Sequence, residues 1–232
     1  MKKLALASII LFCSSTLFAQ LPDLGEASKK AQQLFNQSNI NPETIKSLIA
    51  DFGVETVVDL SVNNAFNNDP SIFIPIPSEY SAVKDKVLQF GGKAIVDQVE
   101  EKLNHAAEQS IELAKPHLKT AINNLNLEQL INIAKNKETG FSTYMKSSSQ
   151  AAILTDLTPV VKAKLEESGT YQSLNEFFKL YKRYAGFFGR SIPNGPNLET
   201  YVATKAIDGL FLKLGQKEAN FRAEKLPSFF GN

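Results

Sequence analysis

The chain has 232 residues, of which 43% are hydrophobic and 21% charged, and its formal net charge is +1. Basic and acidic side chains are mixed along the sequence, so the charge does not favour nucleic acid or anionic lipid as a general partner. The one cysteine, Cys13, has no second cysteine with which to form an internal disulfide.

The first segment has the three parts of a secretory signal peptide. Lys2 and Lys3 precede an apolar run from Leu4 to Phe12, and a polar stretch then leads to Ala19. The apolar run is shorter than the roughly 20 residues that span a bilayer. We therefore predict cleavage after Ala19, a periplasmic location, and a mature chain of residues 20–232 without cysteine or transmembrane segment.

A lipoprotein is the other possibility for this segment. In that case the chain would be cut before Cys13 and acylated there. The residue before an acylated cysteine is normally small, whereas here it is Phe12, and Cys13 directly follows the apolar run. We therefore favour cleavage after Ala19.

Apolar residues recur at helical spacing through most of the chain. This pattern predicts, in order, helices over Asp23–Gln37, from Pro42 toward Val62, and over Ser78–Phe90, Ala94–Lys115, Leu127–Lys135, Glu138–Met145, Gln150–Glu167, Tyr171–Tyr184 and Leu198 to about Ala223. Pro116 is expected to end or kink its helix, and Pro159 to interrupt another.

Side chains that cap helices mark several of these starts. Asn41 precedes Pro42, Ser78 and Asn197 each precede an apolar periodic run, and Asn126 with Gln129 has the spacing of a capping box. The longest loop predicted by glycine and proline lies between Gly186 and Pro196.

The segment from Asn63 to Pro77 breaks the helical pattern. Proline excludes the helical conformation for the residue before it and donates no backbone hydrogen bond. We therefore predict an extended strap that lies across a helical core, formed by Phe73, Ile74, Pro75, Ile76 and Pro77. The predicted fold is all-α, a single-domain multi-helix bundle over residues 20–232 with one extended proline-rich strap.

Four stretches of the sequence resemble a bacterial envelope family catalogued as domain of unknown function 4197 (DUF4197). They are Ile74–Pro77, Leu103–Glu108, Thr139–Ser148 ahead of Leu157–Val161, and Tyr201–Phe211 followed by Glu218 and Arg222. The resemblance implies an exported helical protein of Gram-negative bacteria with no settled biochemical activity. Two features depart from the family: His105 stands where arginine is usual, and the C-terminal tail is shorter.

Polar residues within these stretches form a candidate cluster. Its members share helical faces at spacings of three or four: Asn104, Glu108, Lys205, Asp208, Glu218 and Arg222. One interpretation is an interhelical cavity in which Glu108 or Asp208 acts as an acid or base. The other is a set of hydrogen-bonded ion pairs that lock the helices in register, and we favour this one.

Other chemistries find little support in the sequence. His105 and Glu108 reverse the order of the Glu-x-x-His motif of di-metal bundles and occur once, so we predict no metal site and no cofactor. No nucleophile elbow or phosphate-binding loop is present.

We therefore predict an exported, non-catalytic protein that binds an apolar small molecule or a protein of the envelope. Phenylalanines between the helices are expected to line the apolar site, and the strap is expected to cover it. The alternative is an enzyme that uses the carboxylates Glu108 and Asp208, with Asn104 and Lys205 orienting the substrate.

Overall fold

A computed structural model of the chain describes residues 42–135, 140–185 and 191–229. The predicted signal peptide, Cys13 and the helix predicted over Asp23–Gln37 lie outside these ranges. The described residues belong to one compact unit that begins at Asn41.

The described ranges are helical and contain no β-strand, so the all-α prediction is confirmed. The helices are α1 (Pro42–Leu60), α2 (Ala65–Asn68), α3 (Ser81–Gln89), α4 (Lys93–Ser110), α5 (Ala114–Asn123), α6 (Leu127–Lys135), α7 (Gly140–Glu167), α8 (Thr170–Ala185) and α9 (Leu198–Phe229). Short 3-10 turns occupy Ser78–Tyr80 and Ile111–Leu113. None of the described helices carries an apolar stretch long enough to cross a membrane.

Helices α7 and α9 form the central pair of the bundle. The side chains that α7 buries recur every fourth residue: Met145, Ser149, Ile153, Leu157, Val161 and Leu165. A row of residues spaced by four forms a ridge on a helix surface, which fits the groove of a facing helix. The residues that α9 buries are mostly small or branched, among them Val202, Ala203, Ala206, Ile207 and Leu210.

The expected break at Pro159 is wrong, because α7 is continuous from Gly140 to Glu167. Pro159 is exposed, whereas Leu157 and Val161 on either side of it are fully buried. Packing of the buried ridge therefore outweighs the hydrogen bond that the proline removes.

The prediction that Pro116 ends or kinks its helix is also wrong about where the helix ends. Helix α4 ends at Ser110, and a new helix, α5, begins at Ala114 and was not predicted. Pro116 is the third residue of α5, in the first turn, where backbone N–H groups have no partner within the helix. The proline therefore marks the start of a helix here, not its end.

Two of the predicted caps are confirmed. The backbone N–H of Gln129 donates to Asn126 Oδ1 and that of Asn126 to Gln129 Oε1, each at 2.9 Å. Asn197 Oδ1 accepts from the N–H of Thr200 at 2.9 Å. The cap predicted at Ser78 is wrong, because its hydroxyl donates to the Glu79 carboxylate instead.

The predicted strap, Phe73–Pro77, lies between α2 and the turn before α3 and has no regular secondary structure. Ile74 is fully buried and Ile76 is 4% exposed, whereas Pro75 between them is exposed. The strap thus inserts alternate side chains into the helical core, as an extended chain does.

Candidate functional site

Helix α4 presents three buried polar side chains, spaced by four residues, to the segment that contains the strap. They are Glu100, Asn104 and Glu108, with exposures of 8%, 0% and 7%. We call these three residues the polar ladder. Each accepts a hydrogen bond from a backbone N–H that no helix or strand satisfies.

Asn104 binds the middle of the strap through both ends of its amide. Its Oδ1 accepts from the N–H of Ile74, and its Nδ2 donates to the carbonyl of Ile74, both at 2.8 Å. The same Nδ2 also donates to the carbonyl of Glu100 at 2.7 Å. The side chain of Asn104 therefore replaces a neighbouring strand for Ile74.

Glu100 binds the next backbone N–H group of the strap. Its Oε1 accepts from the N–H of Ile76 at 3.0 Å and from the ammonium group of Lys84 on α3. Since this buried carboxylate has both a cationic partner and a backbone donor, the cost of removing its charge from water is offset.

The spacing of the ladder matches the spacing of the strap. Four residues of helix advance about 6.0 Å along the axis, and two residues of extended chain advance about 6.6 Å. Ile74 and Ile76 can therefore each meet one side chain of α4. Pro75 and Pro77, whose nitrogens would point to the opposite side, carry no N–H that needs a partner.

Glu108 binds the chain where it leaves α1. Its Oε1 accepts from the N–H of Asn64 at 3.2 Å. Asn63 and Asn64 have φ values of 62° and 55°, a left-handed conformation that asparagine tolerates better than most residues. The second oxygen, Oε2, is buried and accepts no hydrogen bond from the described residues.

Lys205 and Asp208 of the predicted cluster lie on α9, and neither forms a hydrogen bond or ion pair with Asn104 or Glu108 within the described residues. Asp208 is exposed and pairs with Lys146 of α7 at 3.1 Å. The ammonium of Lys205 lies 6.0 Å from the centroid of the Tyr201 ring. No hydrogen bond or ion pair in the described ranges joins Glu108 to Asp208, the two carboxylates of the predicted enzyme alternative.

Tyr201 connects α9 to the strap. Its hydroxyl donates to the carbonyl of Pro75 at 3.0 Å. Burial raises the pKa of the Tyr201 phenol, and the nearby carboxylates of Glu79 and Glu100 add to this effect. The phenol therefore stays protonated and remains a donor to the strap over the ordinary pH range.

Glu218 caps the N-terminus of α7. Its two oxygens accept from the N–H groups of Phe141 and Ser142 at 2.9 and 2.8 Å, and Oε2 also accepts from the Ser142 hydroxyl at 2.9 Å. A carboxylate is stabilised here by free N–H groups and by the helix dipole. The side chain of Arg222, predicted to accompany Glu218, lies outside the described residues.

A groove of about 440 Å³ opens between α1, α2 and α9. Its more buried lining comes from Thr56, Leu60 and Ile72, whereas the amide side chains of Asn68, Gln216 and Asn220 are exposed. This volume falls within the range of small-molecule sites. Ile72 immediately precedes the strap, but residues 73–77 do not line the groove.

Two lysines of α9 form ion pairs with carboxylates on the opposite side of this groove. Lys213 pairs with Asp69, and Lys217 pairs with Asp59 at 2.6 Å and with Glu55 at 3.4 Å. Hydrogen bonds from Lys213 and Ser71 lower the pKa of Asp69 to about 2. The walls of the groove are therefore charged, but each of these lysines is paired with a carboxylate of the protein itself.

The two histidines lie on different helices, and neither lines the groove. His105 is exposed on α4, where its Nε2 and the Gln109 side-chain nitrogen are 2.7 Å apart. His117 Nε2 of α5 lies 3.0 Å from a carboxylate oxygen of Asp156 on α7. Within the described residues no group of three potential metal ligands forms.

Sequence reasoning missed Glu100 and the charged pairs of the groove. Glu100 precedes Asn104 by four residues, so the helical stripe that relates Asn104 to Glu108 extends to it. The pairs of Lys213 and Lys217 join segments far apart in sequence, so helical spacing alone gave no signal for them.

The fold and the ladder define an all-helical protein in which an extended strap is held by buried side chains of one helix. The chain belongs to the DUF4197 family, described as proteins of unknown function, whose model matches residues 36–228. No curated protein and no solved structure matches the chain significantly.

Proposed function

We propose that this chain is an exported, non-catalytic binding protein and that the groove between α1, α2 and α9 holds its ligand. The observation that carries the proposal is that three buried polar side chains already bind the protein's own backbone, while a groove at the surface stays open. Asn104, Glu100 and Glu218 make hydrogen bonds to the protein's own backbone, whereas the groove is open, of small-molecule size and lined by polar groups.

The lining of the groove favours a polar ligand that carries hydroxyl or amide groups. Lys213 and Lys217 are already paired with carboxylates, so a ligand need not bring a compensating net charge. Asn68, Gln216 and Asn220 offer amide donors and acceptors suited to such groups. The phenylalanine-lined apolar site expected from the sequence differs from this groove, whose apolar side chains among the described residues are Leu60, Ala65 and Ile72.

The proposal includes export to the periplasm with cleavage after Ala19. It is supported by the order of the charged, apolar and small residues at the N-terminus. The exact mass of the protein recovered from host cells tests this part. A mass that corresponds to a chain beginning at Gln20 supports this part of the proposal. A mass that includes an acyl chain on Cys13 contradicts it.

Native mass spectrometry of the protein gently purified from its host tests the binding site. We expect a retained small mass on the wild-type protein and its loss from Gln216→Trp, because an indole at this position fills the groove. Leu212→Trp is the matched control, since Leu212 is an exposed residue of α9 that does not line the groove.

Comparison of the two variants distinguishes ligand binding in the groove from binding elsewhere on the protein. If Gln216→Trp retains the same mass as the wild-type protein while folding normally, the ligand does not occupy the groove. A bare wild-type chain from every preparation would contradict the proposal as a whole.

A further inference from the structure

The turn between α3 and α4 exposes an aromatic pair at one end of the bundle. The rings of Phe90 and Tyr184 stack with centroids 4.7 Å apart and planes inclined by 16°. Each of these residues is 43% exposed, and neighbouring Leu88 is 39% exposed. Phe90 and Tyr184 thus form an aromatic surface that the described residues leave open to solvent.

Two glycines fix Phe90 in this position. Gly91 has φ +80°, a conformation that side chains disfavour, and it turns the chain after α3. A Cβ on Gly92 would lie 2.5 Å from Val87 and 2.7 Å from Leu180 of α8, so the turn packs closely beneath the pair. The exposed rings are therefore held by a tight turn on one side and by α8 on the other.

Three exposed cations lie close in sequence to the aromatic pair. Lys86 lies in the last turn of α3, and Lys182 and Arg183 lie in the last turn of α8, directly before Tyr184. All three are exposed and none forms an ion pair with a described residue. By contrast, Lys146, Lys162 and Lys164 of α7 each lie within ion-pair distance of a carboxylate.

Exposed aromatic rings beside unpaired cations match the chemistry of an anionic membrane surface. Aromatic side chains favour the headgroup region of a bilayer, and lysine and arginine are attracted to its lipid phosphates. On the neighbouring segments Asp97 is bound to Lys93, and Asp85, exposed beside Lys86, forms no ion pair with a described residue, so three cations stand against one free carboxylate.

We propose that this aromatic–basic surface, formed by Phe90 and Tyr184 with Lys86, Lys182 and Arg183, docks on anionic phospholipid. The surface involves α3 and α8, whereas the groove involves α1, α2 and α9, so the proposal does not depend on ligand binding in the groove. The attachment is peripheral and reversible, because the apolar contact is small and no described helix spans a membrane.

Sedimentation with lipid vesicles tests the proposal. Protein purified from its host, with every variant prepared in the same way, is mixed with vesicles of phosphatidylglycerol and phosphatidylcholine or of phosphatidylcholine alone. We expect binding only to the anionic vesicles, and weaker binding at higher salt. Binding to both vesicle types without salt dependence would overturn the proposal.

A charge variant tests the role of the three cations. Combined Lys86→Gln, Lys182→Gln and Arg183→Gln should reduce the partition coefficient about 100-fold, since each cation contributes about five-fold. The matched control, Lys146→Gln with Lys162→Gln and Lys205→Gln, removes the same charge from other surfaces. Equal losses in the two triple variants would overturn the proposed surface in favour of general charge attraction.

An aromatic variant tests the rings separately. Phe90→Ser should weaken vesicle binding, whereas Leu212→Ser, at an equally exposed position on α9, should not. If the wild-type protein fails to bind anionic vesicles but self-associates in sedimentation velocity, and Phe90→Ser abolishes that association, the surface joins two copies of the chain and the lipid proposal is wrong.

Discussion

Asp69 joins the chain just before the strap to α9 through its ion pair with Lys213. Its carboxyl also accepts from the N–H and the hydroxyl of Ser71, at 2.9 and 2.6 Å. These hydrogen bonds hold the turn that begins the strap. Because the lysine and the serine favour the ionised form, the stability that Asp69 contributes depends on pH.

We predict that Asp69→Asn lowers the free energy of unfolding at neutral pH by about 1 kcal/mol, a small value because the pair is partly exposed. The pKa of Asp69 is lowered from 3.8 to about 2 in the folded state. Its stabilising effect is therefore present above the unfolded value and is lost as the pH falls toward the folded value. Urea titrations across this acid range should show the wild-type and variant proteins converging.

Asp208→Asn is the control for this prediction. Asp208 also pairs with a lysine, Lys146, but both side chains are nearly half exposed. Its replacement should change stability by a few tenths of a kcal/mol at most. An equal loss in both variants, or a loss from Asp69→Asn that persists at the lowest pH, would contradict the role assigned to Asp69.

At the scale of the elements, α7 shows how packing outweighs a local signal. Pro159 lies inside the helix on its exposed side and takes one hydrogen bond away from the carbonyl of Thr155. We predict that Pro159→Ala raises the free energy of unfolding by about 1–2 kcal/mol, since the gain in the helix exceeds the loss of proline's rigidity in the unfolded chain. Thermal and urea unfolding measure the change.

Pro116→Ala provides the comparison, since Pro116 is also exposed but lies in the first turn of α5. The effect there should be much smaller, because that turn has no intrahelical acceptor for the restored N–H. A Pro159→Ala variant less stable than the wild type would contradict this prediction. It would mean that the proline supports the shape of α7 that packs against α9.

The elements that sequence predicted well are those whose signals are local. The capping box at Asn126 and the cap at Asn197 need only residues three positions away, and the Ile-Pro-Ile-Pro alternation alone indicates an extended strap. The break at Pro159 was wrong because the fit of α7 against α9 decides it. The helix α5 was missed because proline ends some helices and begins others.

The candidate site was predictable to a smaller extent. The common face of Asn104 and Glu108 follows from their spacing, but the predicted partners were side chains that lock helices in register, whereas the observed bonds go to the backbone of Ile74 and Asn64. Which backbone groups they bind depends on where the strap crosses α4. The pairs of Lys213 and Lys217 likewise depend on the approach of α1 and α2 to α9, which no local pattern encodes.

At the scale of the whole molecule, the polar ladder connects the extended strap to a helical bundle whose described residues include no strand to pair with it. The strap closes the core beneath Ile74 and Ile76, and Tyr201 fixes its outer side to α9. Removing one side chain of the ladder leaves buried backbone groups of the strap without their hydrogen-bond partner among the described residues. Its removal should therefore lower the free energy of unfolding of the whole fold.

Amide hydrogen exchange of the strap, measured by NMR in wild-type protein and in Asn104→Ala, tests this account most directly. We predict that the Ile74 and Ile76 amides of the wild-type protein exchange only through near-global unfolding, and that Asn104→Ala lowers the free energy of unfolding by about 2–4 kcal/mol. Gln109→Ala, on the exposed side of α4, should leave both measurements unchanged. Rapid exchange of the two isoleucine amides in the wild-type protein, or an Asn104→Ala variant as stable as the wild type, would contradict a structural role for the ladder.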